Sequence, residues 1–574
     1  MKAVPWLLKR VKTARRIERG RDESFDGKLE KLAWELNRIK DLFMRVKEKE
    51  DELLDTLAEV DGHLHKLESK KWDQDIDGIC KRIRECANKL LPKDDSSEED
   101  HRNGQILHSS HPSSTQLNNK FLLDQEARNL IWKIYNEELD DQSKRCLSSL
   151  SVFPKYAVIK KRHAIYWWVG EYLVTETKWE TAEEVGEAVI NNLLKLNLIV
   201  PYGNGKCPIV NKFKIHPHIQ SELVPSKLLP QDMLVLGQRK LVLGNTNKDL
   251  LKPHPEILTI FNVRASYLDF QSQWLVKRKD LQVLQLGRWQ ASPSHHIEVG
   301  GDQFLKELED QRKLRYISLR GISRISKLPP SIVQLKSLEV LDLKACHNLE
   351  TLPHDIGSLE NLTHLIMSQC YMLEGMPKGI ENLTELQVLK GFVISSSGRT
   401  PCSISDLANL RKLRRLSIHI RSEAVIKDRE FKSLNNLSAL EHLKISWGVS
   451  ETWHRDVKII LPQSLKKLHL EGFPGQKIPR WLKPSRLLYS KIQQLKIIGG
   501  KLKNINHYEA KNLSPSQGWN MEVVHLKYLK HLKVDLTDLH ELFPSLRYVE
   551  IKQTSNHSYI EWSNDSREII VSLS

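Results

Sequence analysis

The segment LPPSIVQLKSLEVLDL (residues 328–343) is repeated 24 residues later by LPHDIGSLENLTHLIM (residues 352–367). Both copies begin with Leu-Pro and end with an apolar pattern of the type Leu-x-x-Leu-x-Leu, with methionine as the last residue of the second copy. One copy cannot close a core around these side chains, so neighbouring copies must stack. The segment therefore predicts an α/β leucine-rich-repeat solenoid in which each copy contributes one strand.

The same pattern continues through the C-terminal half of the chain. Its first residues lie at Leu314, Leu338, Leu362 and Leu386 with a constant spacing of 24, and at Leu413, Leu440, Leu465, Ile492, Leu529 and Leu546 with looser steps. Residues 280–286 form an earlier copy, and the irregular stretch near 500–525 is interpreted as a loop insertion. We assign residues 226–574 to the leucine-rich-repeat domain.

The variable positions of the predicted strands are rich in positive charge. Over ten copies they carry fourteen Lys or Arg residues against six acids. A basic concave face attracts an acidic partner and speeds its association, although a solvated face without a single partner is the alternative. We predict these partner-binding residues, with the pairs at 414–415 and 466–467 as the best candidates: Arg315, Arg320, Lys344, Arg414, Arg415, Lys444, Lys466, Lys467 and Lys496.

Cys346 and Cys370 occupy the position three residues after the last strand leucine of their copies. A cysteine or asparagine at this position hydrogen-bonds the backbone between neighbouring coils. We favour that role over a metal site that would include His347. The seven cysteines are scattered without zinc-type or Cys-x-x-Cys spacing, which indicates reduced thiols in a cytosolic protein.

Residues 121–225 carry three helical patterns followed by a hairpin, which is the order of a winged-helix α+β module. The third helix begins at Thr181 with Glu184 three residues later, a capping box. The hairpin turn contains Asn204-Gly205 between two apolar runs. The third helix also carries four glutamates (180, 183, 184 and 187), which would face phosphates in a DNA complex, so the sequence argues against DNA as the partner.

LDDQSKRCLSSLSVFPKYAVIKKRHAIYWWVGEYLV (residues 139–174) resembles the winged-helix subdomain of plant coiled-coil NLR disease-resistance proteins. The shared features are Lys144-x-Cys146, Phe153-Pro154, a Lys-Lys-Arg run and a tryptophan-containing helix. The resemblance implies an intracellular plant defence protein. Its protein partner would be a pathogen effector, a guarded host protein or an intact NLR.

The chain departs from this family where nucleotide would bind. No G-x-x-x-x-G-K-[ST] segment occurs, so the backbone cradle for phosphates is missing from the sequence. Ile215, His216 and Pro217 stand where the resemblance places the Met-His-Asp motif, and we interpret them as vestigial. We therefore predict no cofactor and an atypical member without a nucleotide-binding domain. A gene model that lacks an exon near residues 92–120 is the alternative.

Residues 1–91 predict an α-helical coiled-coil domain, and residues 92–120 predict a disordered linker. A heptad seam from Leu29 to Leu67 is apolar except at Glu50, and it fits either self-association or an intramolecular helical bundle. The first 21 residues contain eight Lys or Arg and one acid, so they fit either a solvated extension or peripheral contact with an anionic membrane. We find no signal peptide and no apolar run of membrane-spanning length.

The sequence as a whole predicts a multidomain, non-enzymatic cytoplasmic protein, with a peripheral position at the plasma membrane as an alternative. No catalytic or metal-binding motif is found. The net charge of +16 over 574 residues favours an acidic partner. Three hypotheses follow: a plant defence protein that binds a protein through its repeats, a general repeat scaffold, and a winged-helix DNA-binding protein.

Overall fold

The computed structural model divides into two compact units. The winged-helix unit contains the described residues between 133 and 297 together with 313–318, and the repeat unit contains the rest. The predicted coiled coil at 1–91 and linker at 92–120 lie outside the described residues. The structure describes residues 133–203, 207–216, 219, 240–243, 257–270, 273–290, 297–322, 324–395, 402–422, 424, 426, 430–448, 457–483, 491–505, 519–532, 534, 539, 542–552 and 570–573.

The winged-helix unit begins with three helices and a small antiparallel sheet in the order β1-β3-β2. A short π-helix, Ile134–Glu138, precedes them. The helices are α1 (Asp141–Ser149), α2 (Lys161–Gly170) and α3 (Ala182–Lys195), and the strands are β1 (Ile159–Lys160), β2 (Ile199–Pro201) and β3 (Lys212–Ile215).

Local sequence explains where these elements start. The carboxylate of Asp140 accepts a hydrogen bond from the Ser143 backbone N–H at 2.6 Å and caps α1. Thr181 and Glu184 form both halves of the predicted capping box at α3. The hairpin of β2 and β3 pairs Ile199 with Ile215, so the winged-helix order expected from the sequence is confirmed.

Four parallel strands belong to the same unit, paired in the order β4-β5-β7-β9. An aromatic cluster connects them to the helices, since Phe153 packs 5.5 Å from Phe261 and 4.9 Å from Trp289, measured between ring centroids. Trp167 lies 4.6 Å from Phe261. The strands of this part are β4 (Lys240–Leu243), β5 (Thr259–Asn262), β6 (Tyr267–Leu268), β7 (Val283–Gln285) and β9 (Tyr316–Ser318).

The repeat unit is built on ten parallel strands, β10 to β19, each paired with the next along the chain. Most are preceded by a short 3-10 turn. After β8 (Glu298–Val299) the strands are β10 (Val340–Asp342), β11 (His364–Ile366), β12 (Val388–Ile394), β13 (Arg415–Ile420), β14 (His442–Trp447), β15 (Lys467–Phe473), β16 (Gln494–Gly500), β17 (Val523–Lys527), β18 (Tyr548–Lys552) and β19 (Ile570–Leu573).

The repeated leucines form the core of this unit. Leu338, Leu362, Leu386 and Leu413 are each 0% exposed, and Ile332, Ile356 and Ile380 from the 3-10 turns are equally buried. At about 25 cal/mol per Å² of apolar surface, burial of these side chains is the main stabilising contribution that each copy makes. The leucine-rich-repeat fold predicted from the 24-residue period is confirmed.

The two predicted ladder cysteines bond as expected. The Cys346 thiol donates to the carbonyl oxygen of Leu319 at 3.1 Å, and the Cys370 thiol donates to that of Leu343 at 3.0 Å. The His347 ring stacks on Tyr371 with an interplanar angle of 4°. Among the described residues no cluster of His, Cys, Asp or Glu has the arrangement of a metal site.

One predicted strand was placed wrongly. The copy assigned to Leu529 is not a strand: β17 is Val523–Lys527, and Leu529 follows it in a turn. Register decides this, because Val524 pairs with Leu495 on one side and Val549 on the other. Leu529 and Leu532 are buried as well, which explains why their spacing imitates the repeat pattern. Lys530, one of the fourteen basic residues that the sequence assigned to the variable strand positions, accordingly lies in an exposed turn.

In the described part of the chain, none of the helices has the length and apolar character needed to cross a bilayer.

Candidate protein-binding surface

Side chains along the strands of the repeat unit alternate between the leucine core and a partly exposed side, which we call the open face. In β13, for example, Leu416, Ile418 and Ile420 are buried while the residues between them are partly exposed. Two-residue periodicity of this kind is what strand geometry requires. Pairing register aligns one open-face residue per strand from β13 to β18, here called the central row: Ser417, Lys444, His469, Lys496, His525 and Glu550.

The open face is basic. On β12 to β18 its strand positions carry seven lysines or arginines and two glutamates. Neighbouring strands are about 4.8 Å apart, so these charges act on one another directly. The basic residues are Lys390, Arg415, Lys444, Lys467, Lys496, Lys527 and Lys552, and the glutamates are Glu471 and Glu550.

Arg414 and Lys466, two of the best sequence candidates, are brought together by one carboxylate. Glu441 Oε1 accepts from Arg414 Nη2 at 2.9 Å and from Lys466 Nζ at 2.7 Å. Burial by itself would raise the pKa of Glu441, but the hydrogen bonds from Lys466 and Arg414 outweigh it and lower that pKa. The single carboxylate thus compensates part of the charge of these two cations before any partner binds.

Two further glutamates, on β15 and β18, form ion pairs with basic residues of the open face. Lys444 forms an ion pair with Glu471. Glu550 accepts from His525 Nδ1 at 2.7 Å and forms an ion pair with Lys527. Burial would raise the pKa of Glu550, but hydrogen bonds from His525 and Lys527 lower it to about 2. Glu550 is therefore ionised throughout the physiological pH range.

His469 and Lys496 lie side by side in the central row, and the pKa of each is lowered from its ordinary value. Burial, and then the charge of Lys444, lower the pKa of His469 well below its usual value. Burial, and then the charge of Lys527, lower the pKa of Lys496 to about 8. The Nε2 atom of His469 is buried and has no hydrogen-bond partner within the described part of the chain.

The remaining predicted contact residues are spread more widely. Arg315 belongs to the winged-helix unit, where its guanidinium lies 3.5 Å from the ring centroid of Tyr172. Arg320 is buried, with 7% exposure. Lys344 is partly exposed, and its backbone N–H donates to Asp342 Oδ1 at 2.9 Å. Arg415 and Lys467 share the first open-face row, on either side of His442.

A shallow cavity of about 280 Å³ lies at the start of strands β15 to β17. Its lining is polar and basic, formed by Lys466, Lys491, Gln493 and Asn520. It extends the basic surface of the open face toward the edge where the strands begin.

Two family models match this chain. One, described as a leucine-rich repeat region, matches residues 271–507, and the other, described as the disease resistance protein winged helix domain, matches residues 152–221. Disease resistance RPP13-like protein 4 from Arabidopsis thaliana is 27% identical over 428 residues, which are 72% of this chain and 48% of that protein. This chain is a homologue of plant disease-resistance proteins.

Other relatives match a smaller part of this disease-resistance homologue. Disease resistance protein PIK6-NP from Oryza sativa subsp. japonica is 29% identical over 225 residues, covering 36% of this chain and 20% of that protein. The chain thus spans about half, or less, of the length of these curated relatives. A crystal structure of an internalin from Listeria monocytogenes matches with a TM-score of 0.37 and 15% identity, covering 59% of this chain and 91% of that one.

The residues at the position of the family's Met-His-Asp motif have a backbone role in this homologue. Ile215 ends β3 and is 3% exposed. The backbone N–H of His216 donates to the carbonyl of Leu198 at 3.1 Å, and its own carbonyl accepts from Ile219 at 3.0 Å. Pro217 lies outside the described residues. The backbone of Ile215 and His216 thus closes the winged-helix hairpin.

The glutamates of α3 are engaged inside the winged-helix unit. Glu183 and Glu187 both form ion pairs with Arg162, and Glu187 also pairs with Lys161 at 3.0 Å. Glu184 completes the capping box. The carboxylates that would repel phosphate are thus partly neutralised by a basic run at the start of α2, which the sequence pattern did not show.

The repeat pattern did not reveal His525 and Lys527 as open-face residues, because the copy assigned to Leu529 placed that strand eight residues too late. The signal that would have found them is Val523-Val524-His525-Leu526, where two β-branched residues begin an alternating run. The central row depends on this strand, since His525 is the neighbour of both Lys496 and Glu550.

Proposed function

We propose that this chain is a non-catalytic plant defence protein of the cytoplasm whose repeat unit binds an acidic protein. The observation that carries this proposal is the excess of seven Lys or Arg over two Glu on the open face of β12 to β18. A face with this excess raises the local concentration of an acidic partner and fixes its orientation. Homology to disease-resistance proteins supports a role in defence.

The partner is a protein with a complementary acidic surface. A pathogen effector, a guarded host protein and an intact relative with a nucleotide-binding domain are the three candidates. All three would meet the same open face, because repeat folds commonly bind along the exposed side of their strands. Self-association through residues 1–91 and contact with the plasma membrane are part of the same proposal and lie outside the described residues.

Site-specific photo-cross-linking in plant cells tests this proposal. A cross-linking amino acid replaces Gln494, which lies on the open face between Lys467 and Val523. The control replaces Lys378, an exposed residue beside the 3-10 turn Ile380–Asn382. We expect an acidic protein to be captured from position 494 and not from position 378. Capture that requires pathogen challenge would indicate an effector, and capture without it would indicate a host protein.

The same experiment can contradict the proposal. Capture only from position 378 would place recognition on another surface. Capture of nucleic acid from position 494, or of proteins without an excess of acidic residues, would show that the charge of the open face has a different purpose.

A further inference from the structure

Most of the basic residues predicted to bind a partner already have partners within the chain. Arg414 and Lys466 share Glu441, Lys444 pairs with Glu471, and Arg315 lies over an aromatic ring. Four others, Arg320, Lys344, Arg415 and Lys467, also interact with other groups of the protein. A cation that is already paired gains less from an incoming carboxylate, because part of its charge is compensated beforehand.

Lys496 differs from these eight. It makes no hydrogen bond and no ion pair with any residue that the structure describes, although it is partly buried in the middle of the central row. A desolvated and unpaired ammonium group costs free energy in the folded protein. An anion brought by another molecule would pair with this ammonium group.

The surroundings of Lys496 are arranged around this charge. His469 on β15 and His525 on β17 are its direct neighbours in register. Lys467 and Glu471 on β15, and Lys527 on β17, lie beside those two histidines, with Lys444 and Glu550 one strand further away. The two carboxylates hold Lys444, His525 and Lys527, and neither comes within ion-pair distance of Lys496 in the described structure.

A neighbour of Lys496 also carries a polar atom whose hydrogen-bonding capacity is unused in the described structure. The unpartnered Nε2 of His469 lies on the residue next to Lys496. In the neutral tautomer that carries a hydrogen at Nε2, this atom would donate to an anion. A carboxylate has two oxygens, which match one ammonium and one imidazole donor. Its single negative charge would also compensate the positive charge of Lys496.

We propose that Lys496, flanked by His469 and His525, is the anchor that receives an aspartate or glutamate carboxylate of the acidic protein partner. This inference rests on the proposed function and names the residue at which binding is decided. The other open-face cations attract the partner at a distance. Lys496 forms the buried pair in the complex, as the central residues of interfaces commonly do.

Binding at this residue depends on pH in a defined direction. The low pKa of Lys496, about 8, arises from burial and from the nearby lysines. A bound carboxylate favours the charged form, so the complex takes up a proton above pH 8. Affinity is therefore constant below pH 8 and falls above it until the pKa of the bound state is reached.

The experiment uses the full-length chain and a fluorescein-labelled peptide of six glutamates, with binding followed by fluorescence anisotropy at fixed ionic strength. Lys496→Met should weaken binding about tenfold or more at pH 7. The matched control, Lys552→Met, removes the same charge from the open face two strands away and should weaken binding less than about threefold.

A conservative variant separates charge from structure. Lys496→Arg keeps a cation that does not titrate below about pH 12, so its affinity for the peptide should be the same at pH 7 and pH 9.5. The wild-type chain should lose affinity over this interval, and Lys496→Met should show a flat profile. Thermal unfolding of each variant confirms that the chain is folded.

Three outcomes would overturn this assignment. The first is an equal loss of binding in Lys496→Met and Lys552→Met, which would indicate a general field. The second is a loss of affinity between pH 7 and pH 9.5 in Lys496→Met that equals the loss in the wild-type chain. The third is displacement of the peptide by inorganic pyrophosphate at lower concentration than by unlabelled peptide, which would indicate a phosphate site. Absence of wild-type binding to the peptide would instead count against the proposed function itself.

Discussion

Glu441 shows how a single carboxylate can hold two cations from different strands. Arg414 precedes β13 and Lys466 precedes β15, and both reach Glu441, which precedes β14. Glu550 likewise holds two side chains, His525 and Lys527, but both of these lie on the one preceding strand, β17. Ion pairs on this sheet therefore form between neighbouring repeats. As a result, fewer basic residues are available to bind an external anion than the composition of the open face suggests.

The stability of the chain at low pH should depend on Glu550. Its pKa is lowered to about 2, against about 4.3 in an unfolded chain, so the folded state binds fewer protons between these values. The stabilisation is fully present above about pH 4.3 and is lost as the pH falls toward 2. We expect Glu550→Gln to lower the unfolding free energy by about 1–2 kcal/mol at pH 7 and to flatten its acid dependence.

Urea denaturation between pH 2.5 and 7 measures this effect. Glu522→Gln is the control, because within the described residues the ion pair of Glu522 is a long one, 3.7 Å from the exposed Arg547. A variant at 550 whose stability follows the wild-type curve at every pH would show that the pairs with His525 and Lys527 contribute nothing.

The charged form of Lys496 should destabilise the folded chain at neutral pH, whereas ionised Glu550 should stabilise it. Its pKa of about 8 lies below the unfolded value of about 10.4, so the folded state binds fewer protons over that window. Stability accordingly rises from pH 8 to pH 10 as the lysine loses its charge. Lys496→Met should abolish this rise and increase the unfolding free energy at pH 7 by about 1–3 kcal/mol.

The measurement is denaturant unfolding of the wild-type chain, Lys496→Met and Lys552→Met at pH 7 and pH 10. Less stability in Lys496→Met than in the wild type would mean that the ammonium group is satisfied in the folded protein. A stabilising substitution that weakens binding would instead indicate that the lysine is kept for recognition.

At the scale of single elements, β12 contains a β-bulge that interrupts its regular pairing with β13. Its register with β13 shifts between Lys390 and Phe392, so Gly391 is an extra residue in the strand. Gly391 has a φ of +89°, and a Cβ placed on it would lie 2.5 Å from the carbonyl carbon of Met367. Both facts exclude a side chain there.

Gly391→Ala should therefore destabilise the repeat unit by about 2–4 kcal/mol, since the new methyl group meets backbone and not a movable side chain. Gly301→Ala is the matched control in the same unit, because a Cβ at Gly301 has no neighbour within 4 Å. Hydrogen exchange of the β11 and β12 amides locates the effect. Equal stability of the two variants would show that the bulge relaxes without cost.

At the scale of the whole molecule, the winged-helix unit is more than its three helices. Glu171, just after α2, accepts from Lys240 Nζ of β4 at 2.8 Å and from Thr259 Oγ1 of β5 at 3.0 Å. The aromatic cluster of Phe153, Trp167 and Phe261 lies in the same unit. Helices and the first parallel strands thus share one core, although the sequence separates them by a weakly patterned stretch.

Glu171→Gln tests how far this polar link supports the unit. The carboxylate is almost fully buried, with 6% side-chain exposure, and its loss leaves Lys240 without its ion-pair partner. We expect a decrease of about 2–4 kcal/mol in unfolding free energy. The control is Glu176→Gln, at an exposed position in the loop before α3. A difference below about 0.5 kcal/mol between the two variants would mean that the aromatic cluster alone holds the unit together.

The sequence alone determined the elements whose signals are local. The spacing of the repeats predicted parallel strands over a leucine core, and Thr181 with Glu184 predicted the start of α3. Both predictions were correct because the residues on which each depends lie within one repeat or one helical turn. The strand at 523–527 was misplaced since Leu529 and Leu532 are buried too, and burial without register does not define a strand.

Tertiary structure decided which charges remain available. Sequence patterns favour the pairs at 414–415 and 466–467 among nine basic candidates. Only the pairing of strands about 25 residues apart shows that Glu441 and Glu471 hold several of these cations, while Lys496 has no ion pair in the described structure. The physical reason is that an ion pair forms over a few ångströms of space. Local sequence patterns fix the strands, and register across the sheet fixes which side chains meet.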